Sequence, residues 1–324
     1  MFTDGGSVSG GLLRELRTLA GIGLRTMAAR TCFTPGYLSL VETGNKPITT
    51  AVLDAYRKVL GDPTLGLAGV DPERLAATVT DPAAAGRSSL EDVSVILERT
   101  RHLEDSAGAA LVAPVIRGID GVARALAGER VGGASAAALA SEVARYRGWL
   151  EHAVGSPHTA NRALEDAVQL AEAAGDRDQL AHSLSFRAYT ARHHGDTARA
   201  VALTDAAIAV DGAHPILGVY DRYQRAELRA VRREARQAGR ALAAADKAAE
   251  AAAEVPLPSF GYWYTAGFWG VQRGIVLALL GRQADAVKEA EQGVAAMPAG
   301  HRTAGWLASM LRRVHPEMDA GGGA

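Results

Sequence analysis

Two groups of side chains carry types and spacings that could do chemistry. The first is aromatic. Six of the chain's 17 aromatic residues fall within ten positions, as Phe260, Tyr262, Trp263, Tyr264, Phe268 and Trp269, with Pro256 and Pro258 just before them. On helical spacing Tyr264 and Phe268 share one face while Tyr262 and Trp269 share another. One face can enter a core; the other needs a different partner. Three readings stay open: aromatic plugs in an Ala-rich core, a groove for a ligand or peptide, and a subunit interface. Tyr220 and Tyr223, flanking Asp221 and Arg222, could line the same surface. The second group is basic. Residues 11–61 hold Arg14, Arg17, Arg25, Arg30, Lys46, Arg57 and Lys58 against Glu15, Glu42 and Asp54, a local net charge of +4 in a chain whose net charge is −1. Such a patch can neutralise phosphates.

Catalytic chemistry finds no such support. His193-His194 has no convergent third ligand and reads as a solvated turn, so no metal is expected. A single cysteine, Cys32, forms neither an intrachain disulfide nor a thiolate cage. There is no glycine-rich fingerprint after a strand, no Walker loop and no GxSxG elbow. Gly132-Gly133 reads as an interhelical turn and Arg232-Arg233-Glu234 as a wet helix face. The chain is expected to be neither an enzyme nor a holder of a cofactor.

The elements that must position these groups are helical. Strand signals are scarce, Ala, Leu, Arg and Glu dominate, and apolar residues recur at helical spacing, so the fold class is all-α. At 324 residues about two domains are expected. Residues 1–10 are Gly/Ser-rich, lack a secretory pattern and are expected to be flexible. Residues 11–62 form a first domain. Residues 63–88, punctuated by Pro63, Pro72 and Pro82, read as a linker with short helical pieces. Ser88 to Glu91 has the shape of a capping box opening a helix with Leu90, Val93, Leu97 and Leu103 on its apolar face. Residues 89–315 form a helical domain, and 316–324 a disordered tail. The longest apolar stretch, Phe268 to Leu280, is broken by Gln272 and Arg273, so a cytoplasmic protein with no membrane partner is expected. Only four lysines beside heavy use of Ala, Arg and Gly suggest a GC-rich bacterial origin, actinobacterial in type.

The back half repeats. Gly155, Gly195, Gly239 and Gly281 lie 40, 44 and 42 residues apart. Five residues after each comes Ala160, Ala200, Ala244 or Ala286, and seven further on comes Ala167, Ala207, Ala251 or Gly293. Glycine supplies the turn of a helical hairpin, small residues let its helices approach, and proline at 256 and 298 stops the second helix. Hairpins with one unburied apolar face stack into a solenoid. The pattern is similar to the tetratricopeptide repeat, with a longer period, over 134–315. An irregular helical bundle is the alternative.

The most specific signal lies in Leu24–Thr43, LRTMAARTCFTPGYLSLVET. Ala28 is small enough for a helix crossing, Leu38 and Val41 supply apolar contacts on the following helix, and Met27 and Phe33 fill the gap. Thr34 is a good N-cap, Pro35 suits the first helical position, and Gly44 suits a left-handed cap. Leu13, Leu16 and Ala20 mark a helix before this unit; Leu53, Tyr56 and Leu60 mark one after it.

Residues 11–61 as a whole resemble the phage-repressor-like (XRE) family of helix-turn-helix DNA-binding domains. The resemblance implies that family's five-helix, lambda-repressor-like fold, with the helix after the turn in the major groove of double-stranded DNA. Carried over position by position, it places Thr34, Pro35, Gly36, Ser39 and Leu40 toward bases, and Arg25, Tyr37, Thr43, Asn45 and Lys46 toward phosphates. Two positions depart from the family's habit: Leu24 stands where Gln is common, and Cys32 where Gly is common. The base-facing set lacks Arg, Gln and Asn, so readout leans on thymine methyls, Ser39 and DNA shape. The family's habit also implies a homodimer. Regulators that join such a domain to tetratricopeptide-like repeats often answer to peptides. The expected function is therefore a transcription regulator whose repeat domain senses a peptide, a small molecule or a protein partner. The alternatives are a repeat-based sequestration module with a vestigial helix-turn-helix, and an antitoxin-like autorepressor.

Overall fold

The computed structural model describes residues 10–61, 70–128 and 133–315. All regular structure among them is helical. Of the expected flexible start, Gly10 is described and is a buried residue opening the first helix; residues 1–9, the expected tail and part of the expected linker lie outside the described residues. The chain divides into two compact units, Met1–Arg99 and Thr100–Ala324.

The first unit opens with α1 (Gly10–Leu19), α2 (Leu24–Ala29), α3 (Pro35–Glu42) and α4 (Thr50–Leu60). Each boundary has a local cause. Thr34 accepts the Tyr37 amide at 3.2 Å, with Pro35 directly behind it. Thr49 likewise caps α4. Gly44 and Gly61 take left-handed φ values of 77° and 64° just past the ends of α3 and α4. Leu13, Met27, Ala28, Leu38, Val41, Val52 and Tyr56 form the core. Ala20 lies beyond the end of α1 and is exposed, not on its apolar face.

A buried ion pair ties α1 to α3. Arg17 donates to both oxygens of Glu42, at 2.6 and 2.8 Å, and to the Ile22 carbonyl at 2.7 Å. Tyr56 on α4 donates to the same carboxylate at 2.6 Å. Burial pulls the Glu42 carboxyl upward, but the Arg17 and Tyr56 hydrogen bonds outweigh it and hold it below the usual range.

The stretch expected as a linker holds more order than punctuation suggests. α5 (Pro72–Thr80) is capped by Asp71, which accepts the amides of Glu73 and Arg74. Arg74 grips the fully buried Asp92 through two 2.7 Å bonds. The capping box expected at Ser88–Glu91 is not used. α6 (Arg87–Ala107) begins one residue earlier, and buried Ser89 instead meets the Thr78 hydroxyl at 2.8 Å. Leu103 is exposed rather than on the apolar face.

α6 continues into the second unit, followed by α7 (Ala109–Gly128), α8 (Gly133–Ala153), α9 (Pro157–Ala174), α10 (Arg177–His193), α11 (Thr197–Ile208), α12 (Pro215–Val231), α13 (Ala235–Ala251), α14 (Ala266–Leu279), α15 (Gln283–Ala296), α16 (Ala299–Arg302) and α17 (Gly305–Val314). The hairpins are α8–α9, α10–α11, α12–α13 and α14–α15. Their first helices pack on one another in chain order, ending on α17. This is a stack of tetratricopeptide-like hairpins. No helix among the described residues is long and apolar enough to cross a membrane.

The repeat spacing needs one correction. Gly239 is not a turn; it lies inside α13. The turn of that hairpin is at Arg233, whose φ is 60° beside 81°, 78° and 77° at Gly155, Gly195 and Gly281. Counting from Arg233, the two small positions are Ala238 and Ala245, both fully buried, whereas Ala244 and Ala251 are exposed. The template holds in all four hairpins once the turn is read as a dihedral rather than as glycine. Where α14 crosses α15, Cβ atoms at Gly267 and Gly274 would stand 2.5 and 2.8 Å from the carbonyls of Gly293 and Ala286.

Candidate functional site

The first candidate site is the outer face of α3. α2 and α3 are joined by the turn Arg30–Thr34, and their facing sides close over Met27, Ala28, Leu38 and Val41. What remains outside is the expected contact set. Thr34, Pro35, Gly36 and Leu40 are exposed and Ser39 half-buried; Arg25, Thr43, Asn45 and Lys46 are exposed and Tyr37 half-buried. These side chains are organised among themselves. Tyr37 stacks on Phe33 with ring centroids 5.3 Å apart, and the Lys46 ammonium sits 5.2 Å from the Tyr37 centroid. Asn45 donates to the Thr43 hydroxyl at 2.9 Å, which itself donates to the Ser39 carbonyl at 2.8 Å. A side chain added at Gly36 would meet open space. Pairing of Arg17 with Glu42, and of Arg57 with Asp54 at 3.0 Å, leaves Arg14, Arg25, Arg30, Lys46 and Lys58 to set the sign of the field.

The second candidate site is a cavity of about 110 Å³ in the helical unit. Its wall comes from the stacked first helices and two closing segments. α8 supplies Arg145, Tyr146 and Trp149; α10 supplies Phe186 and Tyr189; α12 and α14 supply Tyr220, Phe268 and Gln272. α6 contributes Arg101, Glu104 and Asp105, and α17 contributes Trp306, Met310 and Arg313. The segment before α14 lays Tyr262, Trp263 and Tyr264 across it.

The aromatic cluster is thus split. Its first four members are not on a helix: they occupy a short 3-10 turn, Ser259–Gly261, and the residues after it, and only Phe268 and Trp269 lie on α14. Thr265 caps that helix by accepting the Phe268 amide at 3.3 Å. Tyr220, Tyr262, Trp263, Tyr264 and Phe268 face the cavity. Tyr223, Phe260 and Trp269 do not line it. Tyr223 stacks on Trp269 at 5.7 Å and donates to Asp246 at 2.8 Å, Trp269 stacks on Tyr264 at 5.3 Å, and Phe260 packs 5.5 Å from the His182 ring.

Polar groups in the wall are held by neutral donors. Glu104 accepts from the Tyr146 hydroxyl at 2.8 Å and the Trp149 indole at 2.7 Å. Burial pushes its carboxyl above the usual range, against the pull of those two bonds. Asp105 accepts from the Tyr262 hydroxyl at 2.6 Å and the Trp306 indole at 3.0 Å. Tyr264 shares a 3.1 Å hydrogen bond with His182, whose buried ring is held neutral by desolvation and by the charges of Arg145 and Arg101. Arg101 pairs with Glu142 at 2.6 Å, and Arg313 with Glu227.

Sequence reasoning missed the wall residues on α6, α8, α10 and α17. One signal was available: Tyr146 and Trp149 recur 40 residues later as Phe186 and Tyr189, the period of the first two turn glycines. His193 and His194 are exposed, and no cluster of three metal-ligating side chains occurs among the described residues.

Fold and sites together define a class: a helix-turn-helix unit followed by stacked helical hairpins around an aromatic cavity. No protein-family model and no curated protein matches the chain. Among solved structures, Bacillus thuringiensis PlcR in complex with the peptide PapR7 and DNA is similar at 12% identity and a TM-score of 0.42, over 94% of this chain and 95% of that chain.

Proposed function

We propose that this chain is a DNA-binding transcription regulator whose helical unit takes an effector in the aromatic cavity. The observation that carries the reading is the α3 face: a capped helix packed against α2, exposed along its outer side and flanked by Arg25, Asn45 and Lys46. A helix so presented fits the major groove, with Thr34, Pro35, Gly36, Ser39 and Leu40 toward base edges and the flanking residues, with Tyr37 and Thr43, on phosphates. The set has no bidentate donor toward bases, so specificity comes from apolar contact with thymine methyls and from DNA shape. A homodimer on paired half-sites belongs to the same reading.

The test is selection of fragments from sheared bacterial genomic DNA by the full chain at about 0.15 M salt, where weak phosphate binding is discounted. The control is Gly36→Glu/Ser39→Glu, with its helix content compared with the wild type; the added side chain at 36 meets open space. Enrichment of one motif by the wild type and not by the variant is expected, with an inverted repeat reporting the dimer. Enrichment by neither, with or without cell extract, removes the regulator reading.

A further inference from the structure

Arg145 is 0% exposed. Its Nε and both terminal nitrogens have no hydrogen-bond partner among the described residues, and it has no ion-pair partner there. The other two buried arginines each face a carboxylate: Arg17 is hydrogen-bonded to both oxygens of Glu42, and Arg101 is ion-paired with Glu142. Glu142 is the acid near Arg145, and Arg101 takes it. What Arg145 does have is the Phe186 ring, 5.2 Å from its guanidinium carbon. Burial, and then the Arg101 charge, pull its pKa down to about 9, so at neutral pH the group still carries its proton. A buried, charged and unsatisfied guanidinium is strongly unfavourable unless something completes it.

Arg145 lines the cavity, and the rest of the wall says what would complete it. Tyr146, Trp149, Phe186, Trp263, Phe268 and Trp306 offer ring faces and edges. The two carboxylates of the wall, Glu104 and Asp105, are already held by two neutral donors each. Arg313 is held by Glu227. Among the described residues, the wall's charge without a counter-charge is therefore cationic, planar and fork-shaped, in an aromatic chamber. A cavity of roughly 150 Å³ takes one benzene ring; at about 110 Å³ this one is smaller, so a single ring with a short acidic group enters only with rotamer shifts of the wall aromatics, and a peptide of several residues is too large.

We propose that this cavity binds a small aromatic carboxylic acid, its carboxylate gripped bidentately by Arg145 and its ring stacked among the wall aromatics. This names the effector class of the regulator reading, and its connection to DNA rests on that reading; the binding site itself does not.

The test is calorimetric titration of the full chain with benzoate, salicylate, phenylacetate and indole-3-acetate, alongside benzamide, indole-3-acetamide and tryptamine. At least one acid is expected to bind with a Kd below about 1 mM, and its amide at least tenfold more weakly. Arg145→Lys, which keeps the charge and loses the fork, is expected to weaken the acid at least tenfold. Arg145→Met is expected to abolish acid binding while raising the Tm of the ligand-free protein by ~2–4 °C, because it removes an unpaired buried charge. Heat from none of the acids, equal binding of acid and amide, binding of tryptamine alone, or a lower Tm for Arg145→Met overturns the proposal. Acid binding without motif selection leaves the acid site standing and removes only the regulator reading. Motif selection without acid binding does the reverse.

Discussion

The arginine buried in the helix-turn-helix unit and the most deeply buried arginine of the helical unit are treated in opposite ways. In the helix-turn-helix unit Arg17 has both oxygens of Glu42, a backbone carbonyl and, through the shared carboxylate, the Tyr56 hydroxyl. In the helical unit Arg145 has a ring face and no acceptor. The first arrangement joins α1, α3 and α4, and so fixes the angle at which the α3 face is presented. Breaking it leaves a stranded charge, which makes the arrangement a determinant of one geometry. The second holds nothing together. A fold that satisfies its guanidinium has finished with it, whereas a fold that leaves one bare keeps it for something arriving from outside.

The contrast can be broken by measurement. The largest effect is expected for Glu42→Ala, which strands Arg17 and costs about 3 kcal/mol. Urea unfolding of the full chain, with hydrogen exchange followed over residues 10–61, reads it. A loss under about 1 kcal/mol means that Arg17 tolerates isolation as readily as Arg145, and the contrast fails.

Next is the response to pH. In the helical unit burial pushes the Asp221 carboxyl up to about 8, outweighing the Ser185 hydroxyl and the Arg222 charge, which pull it down. The folded state therefore binds that proton more tightly than the unfolded chain, so the contribution of Asp221 to stability falls as pH rises from roughly 4 to 8. Asp221→Asn flattens the slope and gains on the order of 2 kcal/mol at pH 8. Glu42 has the opposite sign. Its folded pKa is depressed, so its contribution is present above the ordinary carboxylate range and lost as pH falls through the folded value. In urea unfolding at pH 4, 6 and 8, the cost of Glu42→Ala and the gain of Asp221→Asn, each against the wild type, should both shrink toward acid while keeping opposite signs. A gain from Asp221→Asn that does not depend on pH breaks the contrast.

Smaller effects sharpen it. Tyr56→Phe removes one of the donors on Glu42 and is expected to cost about 1.5 kcal/mol in the same urea experiment. Arg233→Gly releases a left-handed non-glycine residue and is expected to add about 0.5 kcal/mol to the helical unit, after the entropy glycine brings to the unfolded chain is deducted. A loss there would show that the Arg233 side chain does more than sit at a turn.

Local physics was legible in the sequence and distant pairing was not. Thr34, Pro35 and Gly44 act within one helical turn of their own position, so the boundaries of α3 could be read directly. The repeat was legible through its small residues, except where the turn was sought as glycine and Gly239 was taken for Arg233. The Arg17–Glu42 pair spans 25 residues, and before folding each partner is simply a surface charge. Arg74 and Asp92 turn an expected linker into an ordered helix by the same means. Arg145 was the least legible of all, because on an Ala-rich helix an arginine reads as a wetted face. Only the burial of α8 on both sides reveals it.

The turn at Arg233 bears on how such a chain tolerates change. A left-handed dihedral is a demand on the backbone, and several residue types can meet it at modest expense. The helix crossing at Gly267, Gly274 and Gly293 is a demand for missing atoms, and there the alphabet has one or two letters. The turn is thus a degenerate symbol and the crossing a nearly unique one. Drift among related hairpins should erase the glycines of the turns long before it touches the small residues five and twelve places on. A template weighted on those two positions will find hairpins that one keyed to the turn passes over.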